Sequence, residues 1–157
     1  MWDKLREHVA VDQESLHLLI DTFSPLLEET AREGAEPTYI ELNALASFLQ
    51  SFYNGIENIL KRISQLVDGR SPRGDSSHAD LLRAMAGANA KRSAVISEDL
   101  RNRLNEYMRF RHVYRHGYAF RLEWARMAGL ALGAEKCLHA LDLELAAFLQ
   151  AGGDAEE

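Results

Sequence analysis

The sequence predicts an all-α, up-and-down bundle of four to five helices, and three observations carry that reading. Apolar residues recur at steps of three and four almost throughout. No alternating apolar–polar run is long enough for a sheet. Clusters of Gly, Pro and Ser punctuate the periodic segments as loops do. At 157 residues, 46% hydrophobic and 27% charged, the chain suits one domain with a single core. That domain is read over residues 1–150, with 151–157 as a disordered tail.

The first helical region carries Leu16, Leu19, Ile20, Phe23, Leu26 and Leu27, with an earlier start through Leu5 and Val9. Pro25 lies inside it and is expected to kink or interrupt it. Glu33–Glu36 is a loop, and Pro37 stands where a helix can begin. The second helix is the clearest: Leu45, Phe48, Leu49, Phe52, Ile56, Ile59, Leu60 and Ile63 keep the period without a break. Asn54-Gly55 is a turn-forming pair, but the period on both sides outweighs it. Gly55 is therefore read as a point of close helix approach, at a cost of about 1 kcal/mol relative to Ala.

Gly69–Ser77 is a loop rich in turn formers, followed by a short helix over 79–86 with Ser77 as its cap. Ser97 caps a longer helix, with Glu98 and Asp99 in its first turn and Leu100, Leu104, Tyr107 and Met108 facing inward. Gly117 is its stop. A last helix runs from about Leu122 to Gln150.

Composition narrows the function. The single cysteine, Cys137, excludes an internal disulfide and a cysteine-based zinc site. The charged start and the lack of a long apolar run lead us to expect a cytoplasmic protein with no membrane association. The net charge of −6 argues against a general nucleic-acid coat. Yet residues 101–121 hold six arginines against one acid, Glu106. An acidic body with one basic stripe points to a localised anion site.

The densest part of that stripe is Arg109-Phe-Arg-His-Val-Tyr-Arg-His-Gly-Tyr118. Guanidinium is a fork-shaped, permanently charged donor suited to phosphate, and imidazole both gives and takes protons near neutral pH. The pairing suggests phosphodiester chemistry. Arg111 and His116 are the candidate catalytic residues, with His112, Arg115 and Arg109 supporting or binding phosphate. On a regular helix, positions five apart are offset by about 140°, so His116 is expected where the helix loosens before Gly117. His112 and His116 also have a helical metal spacing, but no Glu follows His112 and the interleaved arginines repel a cation, so neither a metal nor a cofactor is assigned. A second Arg-x4-His pattern, Arg73 to His78, falls in the loop and is read as meaningless, with His78 and His139 unremarkable.

Arg111-His-Val-Tyr-Arg-His116-Gly-Tyr118 resembles the signature of HEPN-domain ribonucleases, and of HepT-type toxins in particular: an Arg, a polar residue after it, a His closing the gap and a Tyr two residues on. Phe52–Ile63 and Ser77–Leu82 are also similar to helices of HepT-like proteins. The resemblance implies a helical homodimer with two motifs in one cleft, and metal-independent endoribonuclease activity on RNA. It also implies a partner, an MNT-type nucleotidyltransferase antitoxin that silences the toxin by attaching AMP to the tyrosine matching Tyr118. A competing reading from another class is a non-catalytic helical module whose arginine stripe holds a phosphorylated or nucleotide-bearing partner. A third is a plain structural bundle.

Overall fold

The computed structural model describes residues 1–117 and 121–155. Five α-helices account for most of them: α1 (Trp2–Thr30), α2 (Tyr39–Ile63), α3 (Ser77–Ala86), α4 (Glu98–His116) and α5 (Trp124–Asp154). A π-helical turn over Ser64–Asp68 extends α2 and ends on Gly69, whose φ of 77° is left-handed. The all-α bundle expected from the periodicity is what forms, and no strand occurs among the described residues.

α2 is the central element. Its apolar residues occupy so much of its circumference that α1, α4 and α5 all pack against it. An aromatic run crosses the core from α1 through α2 to α4: Phe23 on Phe48 at 5.0 Å between ring centroids, Phe48 on Phe52 at 6.0 Å, Phe52 on Tyr107 at 5.2 Å. Tyr107 then ties α4 to α5 by donating its hydroxyl to the Leu130 carbonyl at 2.6 Å. α1 runs antiparallel to α2, with Asp12 beside Arg62 and Phe23 beside Phe48. It is also antiparallel to α5, with Trp2 on Phe148 and Gln13 on Asp142.

Gly55 behaves as its context predicts. A Cβ there would stand 2.6 Å from the Leu16 Cδ2, so the glycine lets α1 approach α2 at this level. Ser97 caps α4 by accepting from the Leu100 N–H at 3.1 Å.

Four expectations need correction. Pro25 does not interrupt α1, which continues to Thr30. Pro25 and Asp21 lie on the exposed face, where solvent can stand in for the helical donor that proline lacks. α2 starts at Tyr39 rather than Pro37, because Thr38 and Glu41 form a reciprocal capping box. Ser76, not Ser77, precedes α3, and it makes no side-chain cap. Finally, the segment expected to be a loose tail is helical as far as Asp154. Gly152 lies against the Trp2 ring with no room for a Cβ, and Gly153 lies against the Arg6 guanidinium, which a Cβ would have to push aside. These glycines are not tail residues but the place where α5 docks on the start of α1.

Candidate active site

α4 turns one seam toward α2: Leu100, Leu104, Tyr107 and Arg111 are its buried residues, at steps of four, three and four. The last place on that apolar seam is thus filled by a guanidinium, and α2 answers it with a carboxylate. Glu57 is likewise buried among the apolar residues of its helix. Arg111 donates Nη1 to Asn54 Oδ1 at 2.8 Å and Nη2 to Glu57 Oε2 at 2.9 Å. Its guanidinium carbon stands 4.5 Å from the centroid of the Tyr53 ring. Burial pushes the Tyr53 hydroxyl well above its ordinary value, helped by the Glu57 charge, so that ring stays neutral.

Glu57 is saturated with donors. Lys61 reaches Oε1 at 2.9 Å, while Arg111 and His78 Nδ1 share Oε2, the latter at 2.8 Å. Burial alone would raise the carboxyl, but hydrogen bonds from Lys61, Arg111 and His78 outweigh it and hold Glu57 below its ordinary 4.5. The buried charge is therefore paired three ways rather than left to neutralise itself.

The outer side of this cluster opens into a groove between the start of α3 and the last two turns of α4. Arg109, Arg111, His112, Arg115 and His116 line it from α4, with His78 opposite on α3. All five of the α4 residues that the sequence singled out thus reach one groove. They differ in presentation. Arg111 is buried with its fork turned inward on α2, whereas Arg109, His112, Arg115 and His116 are exposed. His112 and His116 lie one helical turn apart with their rings 4.6 Å between centroids. This requires a regular helix to the end. His116 is the last helical residue, and the Gly117 N–H still bonds the Val113 carbonyl at 2.9 Å. The expected loosening before Gly117 does not occur. Gly117 itself is extended, with φ −95°. Tyr118, the expected site of AMP attachment, lies outside the described residues.

A family model described as HepT-like protein matches residues 44–152, which spans α3, α4 and nearly all of α2 and α5. The chain belongs to the HepT-like protein family. No curated protein and no solved structure matches it. The matched region of this HepT-like protein contains the whole groove and the residues that sequence reasoning passed over: His78 in its lining, and Asn54, Glu57 and Lys61 in the cluster behind it. In the sequence His78 belongs to the loop pattern that starts at Arg73, which gives no sign of a role. Two signals pointed to the missed group. Glu57 is a carboxylate on the apolar face of the most regular helix, and Arg111 continues the seam of Leu104 and Tyr107. Two opposite charges on facing apolar seams are stable only as partners. No helix among the described residues is long and apolar enough to cross a membrane.

Proposed function

We propose that this HepT-like protein is a metal-independent endoribonuclease toxin that cleaves RNA by attack of the ribose 2′-hydroxyl. The observation that carries this reading is the convergence of Arg111 and His116 on one groove whose rim is cationic. Arg109 and Arg115 add exposed charge there, and among the lining residues only Asp75 opposes them. Such a rim attracts a polyanion before any specific contact forms.

Each group has a task in that chemistry. The 2′-oxygen must lose a proton, the phosphate must carry extra charge as O2′ bonds to phosphorus, and the departing 5′-oxygen must gain a proton. Arg111 holds the phosphate and its growing charge, from a position that α2 fixes in advance. His116 transfers a proton. His112, Arg115 and Arg109 position the backbone. A homodimer would set two such grooves in one cleft. Tyr118 follows His116 by two residues, so an AMP attached there by a nucleotidyltransferase antitoxin would place negative charge and bulk beside the groove and keep RNA out.

One observation favours a second reading, a non-catalytic module for a phosphorylated or nucleotide-bearing partner: Glu57 already offsets the Arg111 charge. Growth on induction separates the two. The toxin reading expects arrest that His116→Ala relieves and that a co-expressed nucleotidyltransferase from a neighbouring gene also relieves. Unimpaired growth with the intact protein, alongside retained binding of phosphorylated ligands, would favour the module.

A further inference from the structure

We infer that His78, on the first turn of α3, is the general base of this groove, working with His116 as the general acid. The inference rests on the ribonuclease reading and adds to it the second proton-transfer group that the reaction needs. The geometry at Glu57 carries it. His78 Nδ1 lies 2.8 Å from Glu57 Oε2, and Arg111 Nη2 lies 2.9 Å from the same oxygen. The 3.2 Å between Nδ1 and Nη2 is the third side of that triangle, set by two donors converging on one acceptor. An ionised carboxylate only accepts, so Nδ1 carries the proton of that bond. A neutral imidazole held this way keeps its lone pair on Nε2.

That second nitrogen has no hydrogen-bond partner among the described residues. The side chain is 43% exposed, and it lines the groove across from His116. Glu57 therefore does two jobs through one oxygen. It aims the Arg111 fork and fixes the orientation and tautomer of His78, as a carboxylate does for the imidazole in other acid–base sites. A histidine serving only to bury a charge pair would have no need to line the cationic groove with one nitrogen left free.

The step balances within one groove. His78 Nε2 takes the proton from the 2′-hydroxyl, and O2′ forms its bond to phosphorus while Arg111 faces the phosphate. The bond from phosphorus to O5′ breaks, and the imidazolium of His116 gives O5′ its proton. The products are a 2′,3′-cyclic phosphate and a 5′-hydroxyl. The two histidines end with protonation exchanged, and water resets them.

The test is single-turnover cleavage by His78→Asn. Asparagine keeps a nitrogen donor where Nδ1 stands, so Glu57 and Arg111 stay held, but it has nothing in place of Nε2. The expected result is a rate lower by about 100-fold or more, with RNA affinity and thermal midpoint close to the parent's. His78→Gln is the second variant should asparagine lower the midpoint. A substrate with sulfur at the scissile 5′ position separates the roles, because a thiolate leaves without a proton. It should restore His116→Ala and leave His78→Asn slow. His78→Asn cleaving within about threefold of the parent, while His116→Ala is inactive, overturns the inference alone. Rescue of His78→Asn by the sulfur substrate overturns its role as base. An intact protein that leaves RNA whole overturns both this inference and the ribonuclease reading.

Discussion

Among the described residues two arginines are buried, and they are buried differently. Arg92 closes a loop. It meets Asp68 with Nε and Nη2, both at 2.8 Å, and gives its remaining N–H groups to the carbonyls of Gly87, Ser93 and Ala84. Those bonds account for every donor a guanidinium has. Arg111 makes two directed bonds from its fork, to Asn54 and Glu57, and borders the groove. The first is a clasp with nothing left to offer a ligand. The second uses two of its donors on α2, lines the groove and has N–H groups left over. Burial and pairing alone do not separate a structural charge from a functional one. The count of unused donors, and whether they border a cavity, does.

The largest effect is expected at the clasp. Arg92→Ala leaves Asp68 with Asn89 as its remaining side-chain donor and takes a donor from the carbonyls of Gly87, Ser93 and Ala84, and breaking a buried pair from one side costs up to about 3–5 kcal/mol. A denaturant titration should show that loss. Cleavage per folded molecule should stay unchanged at permissive temperature. A smaller change is expected at the site. Arg111→Lys keeps a charge for Glu57 but loses the fork, and should lower cleavage about 100-fold with little change in unfolding midpoint. If the two variants exchanged phenotypes, the distinction drawn between the arginines would fail.

Packing gives a third, weaker handle. Gly55→Val must push Leu16 aside where α1 meets α2, one residue from Asn54, and should cost about 1–3 kcal/mol. If that cost is instead negligible, the two helices have room to part. The smallest effect is in pH. Glu57 and Asp68 are both held below their ordinary values of 4.5 and 3.8, against the opposing pull of burial, by hydrogen bonds and cations around them. A carboxyl depressed in the folded state stabilises it fully above its unfolded value, and that contribution fades as pH falls through the folded value. Stability should therefore drop below about pH 4.5, and Glu57→Gln should flatten part of that drop. An unchanged slope would mean that Glu57 is not held as the geometry indicates.

Much of the fold was legible because it depends on near neighbours in sequence. The apolar steps of α2, the Ser97 cap and the role of Gly55 all follow from residues a few positions apart. What was not legible depends on distant partners. Gly152 reads as a tail residue until Trp2 is placed against it, and the two lie at opposite ends of the chain. The Thr38–Glu41 box was local and readable, yet Pro37 drew the helix start toward itself. At the site, the Arg-x4-His spacing located the groove, but spacing carries no direction. That Arg111 turns inward was implicit in its place after Leu104 and Tyr107 on one seam. That His78 belongs with it was not, because α3 must first fold back over α4 to bring it to Glu57.

The most direct test is the end chemistry of RNA cut by the purified protein in excess chelator, compared with His116→Ala. The account predicts 2′,3′-cyclic phosphate and 5′-hydroxyl ends from the parent and no cleavage from the variant. Cleavage that needs a divalent ion, that leaves 3′-hydroxyl ends, or that continues undiminished without the His116 imidazole would contradict it.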